Sequence, residues 1–466
     1  MELVFITALL VLLYARSIRY KYMPDDAVLR KEYLYNVPEA LPPHDFMKRT
    51  PPVRVRVWCI ANHCLNVIFV GILFGWKPAL LFAVHPVAVS QVCWITGNYY
   101  AGTTLLVLAA YWCIQTFGWL GALPGMAFYT AAINSTATAL GVPLFYLMML
   151  NPIGLTLFFP LYKYFTGKRF IAGIAIRRRM RGTPFDKIEH KKLAFMTKVV
   201  GEYLIMFFAP FKMGLFRFLG EHVTRTEKQY NKDCAFDSLF WKSLGGCFAI
   251  FIAGLLVNPM GMWWFFCTIA PHTQFKVYGQ SNPCDRYMYM PMIGLCILAA
   301  NAVPEPILFM FAGFLLYRSH MYIPDWANVE ALHRGNLVNF PERPMSHSDY
   351  GSYVLTHPVA ADGDKNRLNE ASYHLQRGVE LAEKDGQIFE CYVNMAYFLA
   401  SMHQHRPALE FTRKAILKGN EQGLKGVLQD ALIKQEAFFE TVIKEQEKMM
   451  AAPKTMEIPM PSLTVP

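Results

Sequence analysis

The sequence predicts an all-α, polytopic membrane protein with about eleven transmembrane helices, followed by a short TPR-like α-helical domain. Of the 466 residues, 54% are hydrophobic and only 17% are charged, whereas soluble proteins carry about 25% charged residues. The apolar residues are concentrated before residue 321. The predicted parts are a multi-spanning membrane domain, a connecting segment, a TPR-like helical domain and a disordered Pro-rich tail, at residues 1–320, 321–365, 366–447 and 448–466.

The apolar runs of the first part predict the spans, because a helix needs about 20 apolar residues to cross a bilayer. Prolines fall near the ends of several runs, where they bound or break helices. The candidate spans are residues 2–15, 57–76, 79–96, 101–118, 126–141, 143–163, 195–211, 243–258, 260–271, 288–303 and 305–318. A multi-pass integral membrane protein is therefore expected.

The net charge of +11 comes from basic residues that gather in loops beside apolar runs. One loop, residues 168–192, contains nine Lys or Arg residues. Such clusters are typical of segments that flank a membrane, and they give no case for a nucleic-acid partner. The sequence contains no Walker loop, GxSxG, HExxH or GxGxxG pattern, so the common motifs of soluble enzymes are missing.

Small residues recur in the C-terminal part at the spacing of a TPR. Ala396, Ala408 and Ala415 are separated by 12 and 7 residues, and Ala371 and Gly378 repeat the 7-residue step. This spacing indicates the small packing positions of a 34-residue helical repeat, although a generic helical hairpin is the alternative. Because so few repeats need a neighbour to bury their faces, we expect this part to dock on the membrane domain or on a protein partner.

Two adjacent carboxylates, Asp25 and Asp26, directly follow the first apolar run. Adjacent carboxylates in a partly desolvated place repel each other, and a raised pKa suits a general base or a cation site. The alternative is a helix N-cap, because Pro24-Asp25-Asp26 precedes the helical pattern "AVLRKEYLY". A divalent cation therefore stays an open alternative, and the metal requirement is not determined.

A polar break interrupts the apolar run "ALLFAVHPVAVSQVCWITGN". His85 and Pro86 stand within it, and Ser90, Gln91 and Asn98 follow. Polar groups inside a span face protein or a cavity and avoid lipid. His85 is therefore either a site residue or a satisfied histidine in a kinked helix.

A charged pair, Asp285 and Arg286, immediately precedes the apolar run "YMYMPMIGLCILAANAV". Arginine at this depth must pair with a carboxylate or bind an anion, and its guanidinium suits phosphate. Tyr287 and Tyr289 fit a membrane interface, where the ring is buried and the hydroxyl is wet. The alternative is an interfacial ion pair within an aromatic belt.

Read in order, these stretches resemble the GT-C fold membrane glycosyltransferases that end in TPRs, the transmembrane-and-TPR O-mannosyltransferases and their bacterial relatives. "CDRYMYMPMIGLCIL" is similar to the family's (D/E)RYLYLPSIGL, and "LLFAVHPVAVSQVCWITGN" to its FAVHPxHxExVAWxxGR. "VRVWCIANHCLNVIFVGILFG", which contains His63, is similar to its second span, and "DD" follows the first span. The resemblance covers roughly residues 1–335 and the repeats after them.

The resemblance implies transfer of a sugar from a polyprenyl-phosphate donor to a protein or glycan, on the lumenal or periplasmic face of the endoplasmic reticulum or bacterial inner membrane. It implies a base role for Asp25 or Asp26, and contact of Arg286 and Tyr287 with the lipid phosphate. His85, Asp285 and His63 complete the expected donor-binding set. The polyprenyl-phosphate sugar is the donor substrate that the resemblance implies, and a divalent cation is the one cofactor left open.

Several ionisable positions of the family pattern are neutral in this chain. Ser90 replaces the Glu of HPxHxE, Ala88 replaces its second His, and Asn98 replaces the final Arg. The family's S-K-E corresponds to "NSTAT" at residues 134–138. These departures are the ground for the alternative function, a catalytically silent relative that acts as a membrane scaffold or partner-docking protein through its TPR-like domain, whereas the transferase is the favoured function.

Overall fold

A computed structural model describes most of the chain. The described residues are 1–23, 50–166, 192–214, 235–273, 284–356, 365–385, 389–421 and 427–451. All regular secondary structure within these ranges is helical. The prediction of an all-α protein is therefore confirmed.

Twenty α-helices follow one another in the described ranges, joined in places by short 3-10 turns. Helices α1 to α8 are Glu2–Tyr14, Val53–Phe74, Trp76–Val84, Val89–Cys93, Asn98–Phe117, Ala122–Ser135, Val142–Met148 and Phe158–Thr166. Helices α9 to α14 are Lys192–Phe208, Ser238–Leu256, Pro259–Ile269, Asp285–Met288, Met292–Ala302 and Glu305–Tyr322. Helices α15 to α20 are Val329–Asn339, Pro344–Thr356, Lys365–Asp385, Phe389–Ser401, His405–Glu421 and Val427–Ala451.

The predicted number of about eleven spans is not supported. Within the described ranges, three helical stretches are long and apolar enough to cross a membrane: Val53–Phe74, Asn98–Ser135 and Ser238–Leu256. Asn98–Ser135 comprises α5, a 3-10 turn and α6. Other apolar runs form shorter helices, such as Met292–Ala302 with 11 residues. Eleven residues of helix extend only about 16 Å, against a hydrocarbon core of about 30 Å.

Local breaks explain why apolar runs did not become full spans. The run 79–96 is divided at His85, whose extended backbone (ψ 131°) ends α3. The ring of Pro86 disfavours a helical conformation of the preceding residue. A second break follows Phe74, where Gly75 has φ +95°, a region that glycine enters without steric cost.

One hydrophobic core joins the helices of residues 1–332. Its largest fully buried side chains include Trp264, Trp326 and Tyr289. A buried lysine also ties this part together, because Lys198 Nζ of α9 lies 2.7 Å from Asp237 Oδ2, and Asp237 caps the N-terminus of α10. The apolar helices therefore pack around a common interior that holds a few specifically paired polar groups.

The C-terminal helices form two stacked hairpins and a final helix. Helices α16 and α17 pair, α18 and α19 pair, α16 and α17 both contact α18, and α20 packs on α19. The small residues of the predicted repeat lie in these contacts: Ala371, Ala396, Ala408 and Ala415 are fully buried. Helix α16 lies within the predicted connecting segment, so the first hairpin begins earlier than residue 366.

Helix α15 connects the hairpins to the apolar N-terminal part. Asn339 Nδ2 at the end of this helix donates to Met213 O at 2.9 Å, and α15 packs on α16. Docking of the TPR-like domain itself, on the N-terminal part or on a protein partner, stays a prediction.

Replacing Gly351 with alanine should destabilise the first hairpin. A Cβ at this position would lie 2.8 Å from Leu375 Cγ and 3.0 Å from Leu375 N, and such overpacking costs about 1–3 kcal/mol. Hydrogen exchange of the α16 and α17 amides should measure the loss. The same substitution at Gly313, where a Cβ meets nothing within 4 Å, should have no such effect and serves as the control.

Two carboxyl groups, those of Asp349 and Glu390, lie on helices of the two hairpins that contact each other. Burial raises the pKa of Asp349, on α16, to about 7. Burial also raises the pKa of Glu390, on α18, to about 8, and the nearby Asp349 charge adds to this rise. Both side chains are partly buried. In the unfolded chain both carboxyl groups have pKa values near 4. Above about pH 4 the folded protein therefore keeps protons on these groups that the unfolded chain has lost.

The stability of the hairpins should consequently fall as the pH rises. Between about pH 4 and pH 8 the folded state holds more protons, so ionising these groups disfavours folding. After allowance for solvent screening, we expect a loss of about 1–3 kcal/mol between pH 5.5 and pH 8. Hydrogen exchange of the α18 amides measures it. An Asp349→Asn/Glu390→Gln variant should lose most of this pH dependence. The control is Asp430→Asn, which changes an exposed residue on α20 and should keep the pH dependence. If the stability of the double variant changes with pH as much as that of the wild type, the assignment to these two groups is wrong.

Candidate functional site

The site is centred on Arg286, in the short helix α12. Its guanidinium carbon lies 5.3 Å from the ring centroid of Trp94 and 5.1 Å from that of Tyr287. These distances are those of cation–π contacts, which stabilise a cation without neutralising it. Within the described ranges, no carboxylate forms a salt bridge with Arg286. The guanidinium is half-buried and retains its charge for an anion.

Four aromatic rings, which we call the aromatic cluster, surround this position: Trp94, Tyr100, His272 and Tyr287. The His272 ring stacks on Tyr287, with centroids 4.4 Å apart and planes at 10°. Tyr100 contacts Tyr287 edge-on at 5.6 Å. His272 Nε2 lies 2.9 Å from Thr138 Oγ1. Tyr287 is therefore held by two aromatic contacts, from His272 and from Tyr100.

The sequence did not single out Tyr100 or His272, and Thr138 entered only as the last residue of the "NSTAT" segment. His272 lies in the 3-10 turn Ala270–His272 after α11, and Thr138 in the turn Ala137–Gly141 after α6. Nothing in a one-dimensional pattern connects these turns with α12. A polar residue directly after an apolar run was the only available signal.

Asp285 does not pair with its neighbour Arg286. It is buried, and its Oδ2 accepts a hydrogen bond from the Tyr322 hydroxyl at 3.1 Å. Tyr322 packs edge-on against Trp326, which stacks on Trp94 at 5.8 Å. Asp285 therefore anchors α12 to the end of α14, while Arg286 points toward the aromatic cluster. The Asp285–Arg286 ion pair, which the sequence left open as the alternative, is absent from the described residues.

His63 lies in the core, and both of its ring nitrogens are within hydrogen-bonding distance of protein atoms. Its Nδ1 is 2.7 Å from the Tyr289 hydroxyl and its Nε2 is 3.3 Å from Ala83 O. A carbonyl can only accept, so Nε2 carries the proton and Nδ1 accepts from Tyr289. This arrangement favours a positioning role, because it joins α2 and α3 to the chain segment after α12.

His85 is likewise fully buried. Its Nε2 donates to Phe207 O at 3.1 Å, its Nδ1 accepts from Val87 N at 3.2 Å, and its ring stacks on Phe207. The imidazole caps the turn Pro86–Ala88. Of the two interpretations offered by the sequence, these contacts favour the satisfied histidine in a broken helix.

An amide network fills the space beside the cluster. Asn62 Nδ2 donates to Asn98 Oδ1 at 2.9 Å, and Asn98 Nδ2 donates to Gln91 O at 3.0 Å. Asn66 Nδ2 donates to Ala101 O at 3.0 Å. Asn98, one of the departures from the family pattern, is thus held by hydrogen bonds on both sides.

Asp25 and Asp26 lie outside the described residues. The last described residue before them is Met23. The chain leading to this pair is firmly attached. Lys21 N donates to Ala327 O at 3.0 Å. Arg56, fully buried at the start of α2, donates to Tyr20 O at 3.1 Å, to Lys21 O at 2.6 Å and to Cys93 O.

These bonds bring the chain before the acidic pair next to the aromatic cluster. Cys93 is the last residue of α4 and directly precedes Trp94, and Ala327 directly follows Trp326. Trp94 and Trp326 stack on each other, and Arg286 lies over Trp94. The first described segment is therefore bonded to residues adjacent to Trp94 and Trp326, directly at Ala327 and through Arg56 at Cys93, while Arg286 lies over Trp94.

In the described ranges, no group of three or more His, Cys, Asp or Glu side chains is arranged to hold a metal ion. No protein-family model, curated protein or solved structure matches this chain significantly. The resemblance to the GT-C glycosyltransferases therefore stays a prediction from the sequence motifs.

Proposed function

We propose that this chain is a multi-pass membrane glycosyltransferase of the bacterial inner membrane or endoplasmic reticulum. It transfers a mannose- or hexose-type sugar from a polyprenyl-phosphate donor to a hydroxyl of a protein or glycan, on the lumenal or periplasmic face. The observation that carries the proposal is Arg286, a half-buried guanidinium held on aromatic faces with no described carboxylate partner. Such a group is suited to a phosphate.

The acidic pair supplies the base in this proposal. The described chain before the pair ends at Met23, which is buried. Tyr20 and Lys21 are attached through Arg56 to Cys93, the neighbour of Trp94. Asp25 and Asp26 follow Met23 and Pro24 in the sequence.

The reaction follows from these two groups. The carboxylate of Asp25 or Asp26 takes the proton of the acceptor hydroxyl, whose oxygen attacks the anomeric carbon of the sugar. The bond between that carbon and the phosphate oxygen breaks, and the polyprenyl phosphate leaves with the electron pair. Arg286 stabilises the negative charge that grows on the phosphate as the bond breaks. The aromatic cluster keeps the guanidinium in place.

The experiment compares wild-type protein with an Asp25→Asn/Asp26→Asn variant, both purified in detergent. Release of polyprenyl phosphate is measured from polyprenyl-phosphate mannose and polyprenyl-phosphate glucose, with candidate acceptors supplied. We expect turnover by the wild type and a loss of at least about 100-fold in the variant, the usual contribution of a general base. Equal turnover by both proteins would exclude the acidic pair as the base.

A specific observation favours the second candidate, a catalytically silent scaffold. The positions of three ionisable groups in the family pattern hold Ala88, Ser90 and Asn98, all of them buried, and Asn98 is hydrogen-bonded within the amide network. In this alternative the stacked hairpins bind a protein partner. Folded wild-type protein that neither turns over a donor nor binds polyprenyl phosphate would favour the scaffold over the transferase.

A further inference from the structure

A groove on the outside of the membrane part is separate from the aromatic cluster. It lies between α6 and α8 and has a volume of about 630 Å³, within the range of ligand-binding cavities. Its walls are mostly apolar, and Leu123, Met126, Ala127 and Phe159 contribute to them. One wall, α6, belongs to the stretch Asn98–Ser135, which is long and apolar enough to cross a membrane. Lipid chains are the apolar molecules available to such a surface.

Among the described residues that line this groove, Lys163 of α8 is the one cation. Its ammonium nitrogen lies 4.7 Å from the ring centroid of Phe159. No carboxylate in the described part of the chain forms a salt bridge with it. A lysine that lies beside an apolar wall and over a ring face is complementary to an anionic group attached to an apolar chain.

Two polar side chains of α6 line the same groove and offer acceptors. Thr130 Oγ1 donates its proton to Met126 O at 2.6 Å, and Asn134 Nδ2 donates to Thr130 O at 2.7 Å. The lone pairs of the Thr130 hydroxyl and of the Asn134 amide oxygen remain for a donor. A hydroxyl-bearing headgroup next to the phosphate supplies such donors.

We propose that the α6–α8 groove binds an anionic phospholipid with a hydroxyl-bearing headgroup. One acyl chain lies along the apolar walls, the phosphate contacts Lys163 Nζ, and the headgroup hydroxyls donate to Thr130 and Asn134. This site is independent of the proposed reaction, because none of these residues belongs to the aromatic cluster.

The test measures lipid retention by the full-length protein. Protein in nanodiscs of equal phosphatidylglycerol and phosphatidylcholine is released into the mass spectrometer, and the bound lipids are counted. We expect phosphatidylglycerol to be retained at least about fivefold over phosphatidylcholine, as one cation near a phosphate provides. Lys163→Gln should remove this preference and Lys163→Arg should keep it. The matched control is Lys242→Gln, an exposed lysine on the apolar helix α10, which should also keep it.

A second variant tests the groove without removing the charge. Ala127 is exposed on α6, so Ala127→Trp fills the groove without disturbing the core and should lower phosphatidylglycerol retention about fivefold. Equal retention of both lipids by the wild type, or an unchanged preference in Lys163→Gln and Ala127→Trp, would overturn the proposal. Retention of added polyprenyl phosphate in place of phosphatidylglycerol would overturn it too, and would assign the groove to the donor lipid.

Discussion

Replacing Arg286 with glutamine should lower the rate of sugar transfer by about 10²–10³-fold, the usual cost of removing one charge-stabilising donor from a reacting centre. Glutamine keeps a polar side chain of similar reach but loses the positive charge, so the phosphate leaves without its counter-charge. The effect should fall on kcat more than on KM, because the charge on the phosphate grows in the transition state. Arg286→Lys should restore part of the rate, since lysine keeps the charge but lacks the forked donors.

The controls separate this loss from misfolding. Arg54→Gln changes an exposed arginine on α2 and should leave the rate unchanged. Thermal unfolding of Arg286→Gln should show a modest decrease, because the contacts with Trp94 and Tyr287 account for about 0.5–2 kcal/mol. A rate within twofold of wild type in Arg286→Gln would rule out its role at the phosphate.

The largest loss of stability is expected for Arg56→Met. Arg56 is fully buried, and its guanidinium satisfies the carbonyls of Tyr20, Lys21 and Cys93. Methionine fills part of the volume but leaves three acceptors without donors, and each unsatisfied buried group costs about 1–3 kcal/mol. We expect the free energy of unfolding to fall by about 3–5 kcal/mol, measured by thermal and denaturant unfolding in detergent.

The matched control lies two residues away on the same helix. Arg54→Met removes an exposed arginine and should change stability by less than about 0.5 kcal/mol. Equal effects of the two substitutions would show that the backbone contacts of Arg56 contribute little. A large effect of Arg56→Met alone would also predict reduced transfer, because the chain before Asp25 would lose its attachment beside Trp94.

Much of the fold could be predicted from the sequence, because apolar runs and the spacing of small residues act locally. Ala396, Ala408 and Ala415 are packing positions in the structure as the spacing indicates. The number of spans could not be predicted in this way. The sequence indicated a polar break at His85 and Pro86 but placed it as a kink within one span, 79–96, whereas the structure has separate short helices there.

The candidate site was predictable only where its residues are neighbours in the chain. Arg286 and Tyr287 stand together in one motif, but Trp94, Tyr100 and His272 reach them from distant elements. For His63 and His85 the sequence left two interpretations open. The choice depends on carbonyls of Ala83 and Phe207 that only tertiary packing brings near.

The segment that directly follows the first helix is bonded to residues that are synthesised much later. Arg16 donates to His320 O, 304 residues later in the chain, and Lys21 N donates to Ala327 O. A ribosome adds about 5–20 residues per second, so residues 16–21 wait about 15–60 s for these partners. Helix α1 itself packs on α2 and α3, which follow it closely in the chain. Substitutions that slow translation between α1 and α14 should therefore expose the N-terminal segment to proteolysis in the cell before they alter the mature protein.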